Sequence, residues 1–133
     1  MLYLTLLTEA LAFAGKIEEG LAILDDALAT AAVSGMKGWD AEIDRLRGEL
    51  TARLPYPDPA KAEDSFRTAL AIAREQGTRG YELRAATSLA RLWGEQGRRG
   101  EARDLLARLY GWFTEGFDTP DLKEAKALLD ELA

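Results

Sequence analysis

The chain has 133 residues, 17 basic and 23 acidic, for a net charge of −6, with 47% hydrophobic residues and neither cysteine nor histidine. The acidic balance argues against nucleic acid as a partner, since duplex binding draws its affinity from basic patches that neutralise phosphates. Without cysteine there is no disulfide framework or thiolate metal site, which suits a reducing cytoplasm, and without histidine the commonest general base and metal ligand are missing.

Read in order, the chain predicts helix after helix. Leu4, Leu7 and Leu11 recur at helical spacing, Gly15-Lys16 breaks the pattern, and Ile17, Leu21, Leu24 and Leu28 resume it up to Gly35, expected to close the helix as a left-handed cap. A second hairpin starts near Trp39 with Ile43, Leu46 and Leu50. The segment Pro55-Tyr56-Pro57-Asp58-Pro59 interrupts it, and Asp58 is placed to cap the next helix with Pro59 as its first residue. Gly77 closes that helix. A third hairpin carries Leu83, Ala86, Leu89 and Trp93, a Gly97-Arg98 turn, then Ala102, Leu105, Leu106 and Leu109; Thr119-Pro120 opens a last helix through Leu122, Ala125, Leu128, Leu129 and Leu132.

A trio of small, large apolar, then small or apolar residues recurs as Gly20-Leu24-Ala27, Ala62-Phe66-Ala69 and Ala102-Leu106-Leu109, its first members 42 and 40 residues apart. A period of that size marks stacked supersecondary units. The expected fold is therefore all-α, with about seven helices in one domain over 1–133. Its units are near 1–35, 38–77 and 80–116, with a capping helix at 119–132, and stacked helix pairs of this kind commonly present a groove to another polypeptide.

These positions resemble the tetratricopeptide repeat family, whose pattern sets apolar residues at repeat positions 4, 7 and 11 and small or aromatic ones at 8, 20, 24 and 27. Thr8 stands where the family usually has glycine, Arg47 falls at that place in the second unit, and Leu109 replaces the last small residue of the third. The resemblance implies a right-handed superhelical α-solenoid. It also implies an inner wall formed by each unit's first helix at repeat positions 2, 5, 9 and 12: Leu2, Thr5, Glu9 and Ala12, then Ala41, Asp44, Gly48 and Thr51, then Arg84, Thr87, Arg91 and Gly94. The peptide-binding candidates among these are Thr5, Glu9, Asp44, Thr51, Arg84, Thr87 and Arg91, with Arg84 and Arg91 forming a basic end able to hold a peptide carboxylate. Residues Leu83 to Trp93, Gln96 to Arg99 and Tyr110 to Leu122 are similar to the C-terminal repeat region of large bacterial signalling proteins, in which a nucleotide cyclase or a transcriptional activator domain is coupled to an ATPase. On that likeness the chain is a fragment of such a protein.

No arrangement of residues in the sequence points to catalysis. No phosphate-binding Gly-x-x-x-x-Gly-Lys-Ser/Thr loop is present. The adjacent pairs Glu18-Glu19 and Asp25-Asp26 point about 100° apart on a helix and read as solvated faces, while Ser34, Ser65 and Ser88 have no histidine to activate them. Tyr110, Trp112, Phe113 and Phe117 read either as a recognition patch or as the joint where the last helix folds back, and Trp39 and Trp93 as packing between helices. The expected function is a non-catalytic protein-interaction scaffold, without cofactor or metal, binding a protein, a peptide or other domains of its parent. The alternative is a ligand- or peptide-sensing domain that controls an upstream ATPase or nucleotide cyclase. No apolar run approaches the ~18 residues of a membrane span, and the apolar start, Met1 to Ala14, has no basic flank typical of a signal peptide. That start has no capping segment, as expected if earlier repeats precede it. Tyr3, Leu6, Ala10 and Phe13 are the expected contacts of a homodimer through the first hairpin.

Overall fold

The computed structural model describes residues 2–34, 38–54, 56 and 58–133, and the side chains of these except 2–4 and 31–34. Tyr3 and Leu4 thus fall outside the described side chains, and Gly35, Pro55 and Pro57 outside the described residues. The described residues form seven helices and no strand: α1 (Leu2–Phe13), α2 (Ile17–Ser34), α3 (Asp40–Ala52), α4 (Pro59–Gln76), α5 (Arg79–Glu95), α6 (Arg99–Tyr110) and α7 (Pro120–Leu132). Each helix packs on the next, and the odd helices also pack on one another, α1 on α3, α3 on α5 and α5 on α7.

Local chemistry explains the turns. At Gly15-Lys16 and Gly97-Arg98 the glycine takes a positive φ, 77° and 82°, which a side chain would strain. The following amide then reaches back to a carbonyl five residues earlier, Lys16 to Leu11 at 2.7 Å and Arg98 to Trp93 at 2.8 Å. These reverse-turn bonds satisfy orphan carbonyls of the helix end and fold the chain into a hairpin. Gly77 closes α4 in the same way, with φ 70° and the Thr78 amide on the Ala73 carbonyl at 3.0 Å. At the start of α4 the Asp58 carboxylate accepts from the Lys61 amide at 3.1 Å, with Pro59 in the first turn. Thr119 precedes α7, but its hydroxyl donates to the Gly116 carbonyl at 2.7 Å instead of capping the helix.

The core is uneven. A large cluster joins α4, α5, α6 and α7 through Phe66, Leu83, Leu89, Trp93, Leu106, Leu109, Leu122 and Leu132. A smaller one joins α2 to α3 through Leu24, Ile43, Leu46 and Leu50. Between them Gly48 lets α3 approach α4 closely, because a Cβ there would lie 2.6 Å from the Phe66 ring. Trp93 is buried as expected, with its indole N–H on Glu63 at 3.1 Å and Arg67 and Arg98 over its faces. Trp39 departs from expectation: it sits just before α3 and is 44% exposed, because the chain reaches the helix before it reaches the core. The aromatic segment after α6 serves as a joint, with Tyr110 and Phe117 rings 5.7 Å apart and Tyr110 and Phe113 packed on the large cluster. Trp112 remains exposed at this joint, with the Arg79 guanidinium stacked on it.

Candidate functional site

Because α1, α3 and α5 pack side by side, one face of each contributes to a common concave wall, closed at one end by the first turn of α7. The wall encloses a cavity of about 290 Å³ lined from all four helices, by Thr5 and Glu9, then Arg45 and Glu49, then Thr87 and Arg91, then Asp121 and Glu124 among others. A second recess of about 360 Å³ continues it, sharing Glu49, Arg53, Ser88 and Arg91 and adding Ala52, Phe66, Leu92 and Glu95.

Five of the seven expected wall residues come together here: Thr5, Glu9, Arg84, Thr87 and Arg91. Asp44 and Thr51 do not. Asp44 is buried on the packing side of α3, with Arg47 at 4.0 Å, and Arg47 in turn reaches Asp25 of α2 at 3.1 Å. Thr51 is also buried, its hydroxyl donating to the Arg47 carbonyl at 2.8 Å. The correction is a shift of one residue, which turns a helix face by about 100°. Gly48, not Arg47, is the small residue equivalent to Thr8 and Ala90, and all three are buried. Setting Gly48 there brings Arg45 and Glu49 into line with Thr5 and Glu9 and with Thr87 and Arg91. Thr8 fills the small position without stranding its hydroxyl, which donates to the Thr5 carbonyl at 3.0 Å.

The electrostatics of the wall are organised around Glu42, which is 1% exposed beneath it. Arg45 donates to both Glu42 oxygens from Nε at 3.1 Å, and Arg84 donates from Nη1 at 3.0 Å. Arg84 also grips Asp121 of α7 through Nε, at 3.0 and 2.9 Å to its two oxygens. A buried carboxylate is tolerable only when paired and hydrogen-bonded, and here two guanidiniums share it. Burial works against the charge of Arg45 and Arg84, but their carboxylate partners together, Glu42 and Glu49 for Arg45 and Glu42 and Asp121 for Arg84, outweigh it and hold both guanidiniums above their ordinary range. Ser88 extends the network, accepting from Arg45 at 3.3 Å and donating to Glu49 at 2.6 Å. Arg91 makes a separate, solvent-exposed pair with Glu124 at 2.6 Å.

The expected basic end is therefore neutralised by the chain itself. Arg84 is a structural tie between α3, α5 and α7, so reversing its charge strands Glu42 and does not act on binding alone. Sequence reasoning missed Arg45, Glu49, Asp121 and Glu124. The first two were readable from Gly48, the small residue that α3 must place against Phe66, whereas Asp121 and Glu124 join the wall only because α7 folds back.

The expected homodimer contacts Leu6, Ala10 and Phe13 share the outer face of α1, and all are exposed, Phe13 at 96%. Among the described residues no helix is long and apolar enough to cross a membrane.

In class, the chain is an all-helical stack of hairpins with a polar groove along its odd helices. No family model matches it. An uncharacterized protein of Rhizobium meliloti (strain 1021) is 34% identical over 84 residues, 63% of this chain, and the chain spans 8% of the length of that relative.

Proposed function

We propose that this chain is a non-catalytic protein-interaction module of the tetratricopeptide kind, forming a right-handed superhelical stack that holds an extended segment of another polypeptide, or of its own parent protein, in the groove of α1, α3 and α5. The observation that carries this reading is the continuity of the groove: side chains from four separate helices line one uninterrupted surface, with hydroxyls and charges above an apolar floor of Leu46, Leu50 and Phe66. Helical stacks use their concave side in this way. The great length of the matched relative supports placing the module within a large protein, and the likeness of Tyr110 to Leu122 to bacterial regulators is the ground for taking that parent as a cytoplasmic signalling or transcription regulator.

A random dodecapeptide library passed over the immobilised chain tests the reading, with retained peptides mapped by amide shift changes in NMR spectra. Changes at Glu49, Thr87, Ser88 and Arg91 are expected. Retention of nothing, or changes confined to other faces, overturns it.

A further inference from the structure

We infer that the groove takes a basic segment, one carrying lysine or arginine side chains, which deepens the proposed function and rests on it. The charges of the wall are unevenly paired. Its bases are Arg45, Arg53, Arg84 and Arg91, and its acids are Glu9, Glu49, Glu95, Asp121 and Glu124, with Glu42 beneath them.

Three of the four arginines are already engaged. Arg45 serves Glu42 and Glu49, Arg84 serves Glu42 and Asp121, and Arg91 serves Glu124. A carboxylate arriving on a ligand would compete with these internal partners and would meet unpaired like charge. Like-charge juxtaposition across an interface is a strong bar to the wrong partner.

The acids are not all engaged. Glu9 in the first recess and Glu95 in the second are exposed, and no ion pair involves either among the described residues. Arg53 is the one wall arginine in the same condition, and it lies where the two recesses meet. With six carboxylates against four guanidiniums, the wall is acidic, in keeping with the net charge of −6.

The apolar floor suits the same occupant. Lysine and arginine bury their methylene stems along apolar surface while the charged head stays with a carboxylate. Leu46 and Leu50 line the first recess near Glu9, and Leu92 lines the second with Glu95. Arg53, between them, presents donors suited to the main-chain carbonyls of an extended segment. The acidic surface also speeds the approach of a basic partner at low salt.

The charge composition of the peptides retained from the dodecapeptide library is the test, followed by titration of one retained peptide against the variant E9Q/E95Q. The expected results are enrichment in lysine and arginine and an affinity about fivefold weaker for the double variant, the scale of two exposed ion pairs, with a shallower salt dependence. Both glutamates are exposed, so the variant keeps the fold, which its thermal melt verifies. Retained peptides that are acidic or of average charge, or an unchanged affinity in E9Q/E95Q, overturn the inference. If such peptides still shift Thr87, Ser88 and Arg91, the groove remains the binding site and only its charge preference is refuted.

Discussion

Helix α1 carries one charged residue in its 12, Glu9, whereas α7 carries six in its 13, on a helix of nearly the same length. In α7 the leucines fall on one face, so Leu122, Ala125, Leu128 and Leu132 are buried while Lys123, Glu124, Lys126, Asp130 and Glu131 face solvent. In α1 apolar residues surround the axis. Thr8 is buried on the inner side, Leu7 and Leu11 are partly so, and Leu6, Ala10 and Phe13 are left outside. The two end helices thus differ in their backs: α7 turns its charges outward, whereas α1 leaves apolar side chains on its outer face.

The sharpest way to break this contrast is to remove α7. Leu122, Leu128 and Leu132 are buried leucines worth about 1.5–3 kcal/mol each, and deleting 119–133 also uncovers Leu105 and Leu109. Loss of cooperative unfolding, or aggregation near room temperature, is expected in a thermal scan of the truncated chain. An unchanged midpoint would show that α7 does not cap the core.

The next effect sits at Glu42, the buried carboxylate beneath the wall. Arg45→Met leaves Glu42 buried with Arg84 as its remaining guanidinium, which is expected to cost about 2–4 kcal/mol by urea unfolding, since a buried carboxylate losing a partner is expensive. A cost within 0.5 kcal/mol of zero, on the scale of surface substitutions, would mean that Arg84 alone compensates Glu42.

Asp44 sharpens the comparison in the opposite sense, because the α2–α3 contact holds a buried carboxylate that is poorly compensated. Burial pushes its carboxyl up to about 6, with Arg47 opposing and Asp40 adding to the shift. The folded chain therefore holds this proton more tightly than the unfolded chain, whose value is near 3.8, and the group's contribution to stability falls as pH rises through about 6. Asp44→Asn is expected to gain about 1 kcal/mol at pH 7 and next to nothing near pH 3, below the unfolded value of 3.8, where the carboxyl is mostly protonated in both states. Melting curves at the two values check this; an equal gain at both would assign the effect to something other than charge.

The smallest change in stability is expected at the exposed face of α1. Leu6 is 56% exposed, so Leu6→Glu should alter the folding free energy by no more than about 0.5 kcal/mol. Its effect is expected on mass instead. We propose that Leu6, Ala10 and Phe13 meet a second copy through the first hairpin, so that the variant is a monomer where the parent chain is a dimer. Sedimentation over a concentration series decides it, and a 14.6 kDa species persisting in the parent chain at high concentration would exclude the dimer.

Much of the architecture was legible before any coordinate. The spacing of leucines located the helices, and Gly15, Gly77, Gly97 and Asp58 marked ends that the structure places there, because helix period and turn conformation are local properties of a few neighbouring residues. The inner wall was legible where the helices carried clear register, at Thr5, Glu9, Arg84, Thr87 and Arg91. It failed on α3, where buried polar residues such as Asp44 and Glu42 blur the boundary between inside and outside, and one residue of slip turns the wrong face to the groove.

What sequence alone determined was the set of helices, the polar back of α7 and the apolar surface of α1, since each depends on residues a turn or two apart. What only the tertiary structure decided was the charge of the groove. Glu42, Arg45, Arg84 and Asp121 span about 80 residues of chain and meet because three helices pack side by side. Whether an arginine is free to meet a partner or already spent on its own fold depends on which carboxylates packing brings within about 3 Å, and no local pattern encodes that distance.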